Sequence, residues 1–308
     1  MAREAPSVSV VIATYNRSNV LRFAVESVLR QTFEDWELWV VGDGCTDDTE
    51  AVMSRFSDPR VNFVNLETNF GEQSKPNNEG FSRARGRLIA YLGHDDLWLP
   101  DHLEAVVAGI EETGADFVYT LGDVIAADGS RGLAGSTPSG RWEPWAHVPT
   151  GCWLVRREVL EEVGPWRSAL EMHETPQEEL MLRIHKAGKE MRLVPRLTVV
   201  KIPSGSRELV YARRESSENE EFARRIQTEP DFRERELTLL ALRHASGQHA
   251  PRSLSSHLAR ALKDLVRRST IALGIHPYAA HNLVRFGRKG GGIDYLRRKR
   301  GLDRLRRS

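Results

Sequence analysis

The sequence predicts an α/β domain with a mostly parallel sheet across its first two hundred residues, followed by a helical, basic extension. Three observations lead there. Short β-rich runs alternate with segments of helical spacing, polar residues gather just after those runs, and beyond about residue 205 the β signal ends while basic charge rises.

The first run, Ser7 to Thr14 (SVSVVIAT), has the apolar, β-branched character of a strand buried on both faces. Asn16 to Gln31 then sets Val20, Leu21, Ala24, Val28 and Leu29 at helical spacing. A second strand, Trp36 to Val41, ends at Gly42-Asp43-Gly44, after which Thr46 or Asp47 can cap a helix. Val61 to Leu66 and Arg87 to Leu92 read as the third and fourth strands, and Pro100 to Glu112 as a helix with Pro in its first turn. Asp116 to Thr120 and Leu197 to Val200 complete the β signal. Ser217 to Ile226, Asp231 to Arg243 and Ser253 to Leu273 read as helices. A division into residues 1–215 and 216–308 follows.

The 308 residues include 40% hydrophobic and 28% charged side chains, the balance of a soluble globular chain. No apolar run approaches the roughly 20 residues of a transmembrane helix, and no signal-peptide pattern precedes the first strand, so a cytoplasmic location is expected. Cys45 and Cys152 have neither disulfide-framework nor zinc-finger spacing. The net charge of +1 conceals an asymmetry: residues 251–308 hold fifteen Lys or Arg against three acids, so the remainder is acidic.

Parallel sheets bind ligands at the carboxyl ends of their strands. Thr14, Tyr15 and Asn16, then Asp43, then His94-Asp95-Asp96 stand at such ends. Two adjacent carboxylates in a tight turn are oxygen donors suited to Mg²⁺ or Mn²⁺, which commonly share their coordination with substrate phosphates. Alternatively, Asp95 or Asp96 caps the helix that follows. There is no G-x-G-x-x-G turn after the first strand and no Walker A loop, which argues against a dinucleotide-binding or P-loop protein.

In this order and spacing, the segments resemble the family 2 glycosyltransferases of GT-A fold, over roughly residues 7–215. VSVVIATYNR is similar to the family's first strand, whose end implies donor contacts from Thr14, Tyr15, Asn16 and Arg17. ESVLRQTFEDWELWVVGDGCTDDT is similar to its second unit, which normally closes with a DDGS-type loop. Here Gly42 replaces the first Asp, leaving Asp43 for the base or ribose. Asn78-Glu79-Gly80 looks like an N-x-G element that implies a donor role for Asn78. LIAYLGHDD matches an I-x-x-L-D-x-D-D pattern with Gly93 in place of its first Asp, so His94 and Asp95 are implied at the donor and Asp95 and Asp96 at the metal.

The resemblance also implies inverting transfer from a nucleotide-sugar, a UDP-sugar first, to a glycan or lipid-linked acceptor, with a general base on a helix reading x-L-x-x-R-x-x-x-x-G. Glu178 to Gly188 fits that helix. The common base position is occupied by Gln177, a variant position selects Glu179, and Glu178 stands in reserve. Both acids also suit a helix's first turn. Tyr211-Ala212-Arg213-Arg214 looks like the family's closing element, which implies phosphate contacts from Arg213 and Arg214. Thr150, Gly151 and Trp153 fall where acceptor residues are expected, and Trp142, Trp145 and Trp153 are either sugar-stacking surfaces or core.

The helix Ser253 to Leu273 places leucines on one side and Arg or Lys elsewhere. This suits an anionic membrane surface, or docking on the acidic body or on a second copy in a homodimer. Too few aromatics interleave with the basic residues to suggest nucleic-acid binding. The losses at Gly42, Gly93 and Gln177 keep open a non-catalytic relative that binds sugar or scaffolds an assembly.

Overall fold

The computed structural model describes residues 5–248 and 276–305, with Leu265, Ser269, Thr270 and Leu273 between them. The first half follows the sequence pattern closely. Strands β1 (Val8–Thr14), β2 (Trp36–Gly42), β3 (Val61–Asn65) and β4 (Leu88–Tyr91) lie side by side in parallel, in the order β3-β2-β1-β4. Helices α1 (Ser18–Leu29), α2 (Thr49–Met53) and α3 (Ser74–Arg83) connect them. β1 and β4 are buried almost throughout, which is why their sequences are unbroken apolar runs rather than alternating ones. At the start of α2, Asp47 Oδ1 accepts the Thr49 amide at 3.1 Å, a local turn that ties the loop down before the helix begins.

The second half is mixed. β5 (Leu97–Trp98), α4 (His102–Thr113), β6 (Phe117–Ile125), β7 (Arg131–Ala134) and β8 (Trp153–Arg156) are followed by α5 (Arg157–Val163), α6 (Pro176–Lys186) and β9 (Met191–Lys201). The sheet continues β4-β8-β6-β9-β5, with β7 on β6. β8 runs antiparallel to both β4 and β6, and β6 runs parallel to β9. β5, β7 and β8 have two to four residues each, too short for periodicity to reveal.

Next come α7 (Val210–Arg213), α8 (Ser217–Thr228), α9 (Phe232–Gln248), α10 (Pro277–Phe286) and α11 (Gly291–Arg300). α8 and α9 share a second apolar cluster with the sheet domain: Phe222, Ala223 and Phe232 pack with Phe23, Leu97, Leu99, Val200 and Ile202. α10 and α11 return to the same body. Asn282 Nδ2 donates to the His173 carbonyl at 2.7 Å, the Gly290 amide to Met172 at 3.0 Å, and the Leu209 amide to Lys299 at 2.8 Å. The helix read at Ser253 to Leu273 lies almost wholly outside the described residues. Among those described, no helix is long and apolar enough to cross a membrane.

Candidate active site

The carboxyl ends of β1, β2 and β4 open onto a cavity of about 550 Å³. Thr14 and Tyr15 reach it from β1, Asp43 from β2, and His94 and Asp95 from the turn after β4. Thr150, Gln177, Glu178 and Lys201 come from the mixed half of the sheet, and Tyr211, Arg297 and Arg300 from the helices beyond it.

Asp43 is held in place by the Phe70 and Gly71 amides, which donate to its two oxygens at 3.0 and 2.7 Å. Burial pushes its carboxyl above the usual range, and those two amides only partly offset the effect. Asn16, in the left-handed region at φ 46°, accepts the Thr46 amide at 2.7 Å and shapes the neighbouring loop from outside the cavity. Arg17 is buried behind it and donates to the Val210 carbonyl at 2.6 Å. Asn78 exchanges two hydrogen bonds with the backbone of Trp166, both at 2.9 Å, and does not line the cavity. Of the residues expected at the donor, Asn16, Arg17 and Asn78 thus support the cavity wall instead of facing its interior.

Asp95 and Asp96 part company. Asp96 is fully buried, accepts Lys201 Nζ at 2.7 Å and the Ile202 amide at 3.1 Å, and lies off the cavity lining. Asp95 lines the cavity; its Oδ2 accepts the Ser204 amide at 2.9 Å, while its Oδ1 lies 4.0 Å from Lys201 Nζ. Burial works against the charge on Asp95, but Lys201, Arg17 and the Ser204 amide outweigh it and hold the carboxyl well below its usual range. Burial also lowers His94 to about 4, against the pull of Asp95, so its ring is neutral at neutral pH. Among the described residues no three His, Cys, Asp or Glu side chains converge as a metal cluster. A single open carboxylate nonetheless fits an Mg²⁺ or Mn²⁺ ion that takes its remaining donors from a diphosphate.

The two glycines at expected Asp positions share a physical explanation. A Cβ on Gly93 would lie 2.5 Å from Asp96 Oδ2, and one on Gly42 would lie 2.4 Å from Asn65 Oδ1. Asn65 is itself engaged, accepting the Cys45 amide at 2.8 Å and donating to its carbonyl at 2.9 Å. Neighbouring side chains occupy the space that an acid would need.

Glu178 and Glu179 are adjacent in the first turn of α6 and face different ways. Glu178 closes a capping box with Thr175, its Oε2 accepting the Thr175 amide and hydroxyl at 3.2 and 2.9 Å. Its Oε1 lies 3.6 Å from His147 Nδ1, and the residue lines the cavity. Burial pushes its carboxyl up, but His147 and the nearby His276 more than offset this, and it is held below the usual range. Glu179 turns away, accepting from Arg183 at 2.8 and 3.1 Å and from Arg167 at 3.1 Å, and is absent from the cavity lining. Of the two acids, Glu178 and not Glu179 lines the cavity.

Arg213 is exposed, and Arg214 is bound to Asp47, Asp48 and Ser18 at 2.8, 2.9 and 2.6 Å; neither lines the cavity. On the acceptor side, Thr150 lines the cavity, whereas the Gly151 carbonyl accepts Trp98 Nε1 at 2.6 Å. Trp153 is a core residue, stacked on Trp166 with ring centroids 5.8 Å apart, and Trp142 is buried as well. Glu72, Tyr91, Lys201, Arg297 and Arg300 line the cavity without having been expected there. Only the last two carried a visible signal, the basic run Arg297 to Arg300.

Residues 9–164 match the family model described as glycosyl transferase family 2, about half of the chain. The chain belongs to glycosyl transferase family 2. Similar proteins include the putative teichuronic acid biosynthesis glycosyltransferase TuaG of Bacillus subtilis, 34% identical over 132 residues, which are 42% of this chain and 52% of the relative. The UDP-Glc:alpha-D-GlcNAc-diphosphoundecaprenol beta-1,3-glucosyltransferase WfgD of Escherichia coli is 31% identical over 118 residues, 38% of this chain and 46% of that one. The chain thus spans about half the length of these curated relatives. S. aureus TarS 1-349 in complex with UDP-GlcNAc shares the fold at a TM-score of 0.56 and 17% identity, with 92% of each chain covered.

Proposed function

We propose that this family 2 member transfers a sugar, with inversion, from a nucleoside diphosphate donor to a hydroxyl of a glycan or lipid-linked acceptor. The observation that carries this reading is the convergence of Asp43, Asp95 and Glu178 on one cavity at the carboxyl ends of the parallel strands. A UDP-sugar is the favoured donor. The E. coli relative is named as a UDP-Glc enzyme acting on a diphosphoundecaprenol-linked sugar, and the S. aureus structure holds UDP-GlcNAc.

Asp43 binds the nucleoside end, deep between β1 and β2. Asp95, with neutral His94 beside it, lies toward the diphosphate and would hold Mg²⁺ or Mn²⁺. When bound, that ion would offset the phosphate charge. Glu178 is the general base. It is ionised at neutral pH, its Oε2 is occupied by Thr175, and its Oε1, with His147 Nδ1 3.6 Å away, is the oxygen that takes the acceptor proton. As that proton moves to Glu178, the acceptor oxygen bonds to C1 of the sugar. The C1–oxygen bond to the β-phosphate breaks, and its electron pair leaves with the nucleoside diphosphate.

The test is thermal stability with UDP, GDP and dTDP, each with and without Mn²⁺, in the wild type and in Asp95→Ala. The expected result is stabilisation by UDP that Mn²⁺ strengthens only in the wild type, worth about 3 kcal/mol at a hundredfold excess over Kd. If no nucleotide raises the melting temperature of either protein, the donor site is misassigned.

A further inference from the structure

We infer that α11 completes the donor site, with Arg300 and its neighbour Arg297 binding the diphosphate of the nucleotide-sugar. This rests on the reading of the cavity as a donor site and goes beyond it, since the arginines that the family pattern singles out lie elsewhere. Arg213 is exposed and Arg214 is committed to Asp47 and Asp48.

Three observations support the assignment. Both arginines line the cavity together with Asp43 and Asp95, and both act electrostatically on Tyr211, which lines it too. Arg297 is buried and, among the described residues, forms no ion pair with a carboxylate, although Asp43 acts on it electrostatically. Its Nε donates to the Asp303 carbonyl at 2.6 Å and its Nη1 to the Gly71 carbonyl, next to the amide that grips Asp43. These two bonds fix the guanidinium plane and leave Nη2 for a ligand. Arg300 is less satisfied still: its Nε is buried with no hydrogen-bond partner, and among the described residues no acceptor takes its guanidinium.

Arg300 is half-buried, but its Nε is buried without a partner, and a buried polar N–H left unpaired is costly unless an acceptor arrives. Arg300 also lies near Lys201, whose ammonium it disfavours, and Lys201 in turn is spent on Asp96. The cavity therefore holds more cationic donors than its own acids satisfy on this side. A diphosphate, with its several oxygens and negative charge, is the ligand class that a planar five-donor group recognises best. The positions of the two arginines are set by the seating of α11, through the Leu209 amide to Lys299 and the Gly290 amide to Met172. The helix thus acts as a strap, bringing charge from the far end of the sequence onto the leaving group.

The experiment is calorimetric titration of the full chain with UDP and with uridine, in wild type, Arg300→Ala, Arg300→Lys and Arg298→Ala. Arg298 is exposed on the same helix and controls for helix stability and net charge. The expected result is a loss of UDP affinity of roughly ten- to a hundredfold in Arg300→Ala, partial recovery in Arg300→Lys, and no change in Arg298→Ala. Uridine affinity should be equal in all four. If Arg300→Ala binds UDP as the wild type does, or weakens uridine and UDP alike, the strap has no part in phosphate binding, while the donor site stands. If the wild type binds no UDP, GDP or dTDP, the donor reading falls and the strap with it.

Discussion

At the scale of single residues, two adjacent glutamates are placed differently because their oxygens meet different partners. Glu178→Gln keeps the capping geometry nearly intact but removes the proton acceptor. Turnover should fall by roughly a hundred- to ten-thousandfold with UDP binding retained, which steady-state kinetics and calorimetry separate. Glu179→Gln breaks charged hydrogen bonds to Arg183 and Arg167 away from the cavity, so it should appear chiefly as about 1–3 kcal/mol of lost stability on denaturant unfolding. The pH dependence follows from the direction of the Glu178 shift. The folded-state value lies below the ordinary 4.5, so the base is ionised, and its contribution to stability fully present, above that value. Both are lost only as pH falls through the lower folded value. In kcat/KM profiles the acid limb assigned to this group should therefore lie below pH 4.5, and an acid limb near neutrality would point to a different base.

At the scale of elements, the turn after β4 is the most constrained. Gly93 is packed against the buried Asp96, and Asp96 is bound to Lys201 of β9, so the turn and β9 form one polar unit. Restoring the family's acid by Gly93→Asp should not strengthen metal binding. It should displace Asp96 from Lys201 and lower stability by about 3 kcal/mol or more, readable as a drop in melting temperature without any gain in Mn²⁺ affinity. The start of α6 is a second such element. Thr175→Ala opens the capping box and should cost about 1 kcal/mol, and by releasing Glu178 Oε2 it should also slow turnover more than it weakens donor binding.

At the scale of the whole molecule, the helices after residue 216 are bound into the sheet domain by apolar packing and by buried charge. Glu236 of α9 is fully buried and paired with Arg131 of β7 and with Arg225 of α8, the latter at 2.5 Å. Removing it in Glu236→Ala takes away the acid that the two arginines share, while Arg131 keeps Asp123 and Arg225 keeps Glu229, and should cost about 1–3 kcal/mol. That loss should appear in a single cooperative transition with the sheet domain. Two separate transitions would mean that α8 and α9 melt on their own.

The sequence by itself determined the parallel half of the sheet, because long apolar runs buried on both faces and the polar turns between them are local signals. It also placed Thr14, Tyr15, Asp43, His94 and Asp95 at the carboxyl ends of such strands, where a parallel sheet opens its crevice, although Asn16 and Asp96 at the same ends do not line the cavity. What it left undecided depends on how elements dock. Successive residues on a helix point roughly 100° apart, so only the seating of α6 selects Glu178 over Glu179 for the cavity. Trp153 could be read as sugar platform or core until β8 carried it between β4 and β6. The basic run at Arg297 to Arg300 was visible as charge, but its place in the cavity is a contact with residues more than two hundred positions away. No local pattern specifies a contact of that range, because it depends on the folded body against which α11 packs.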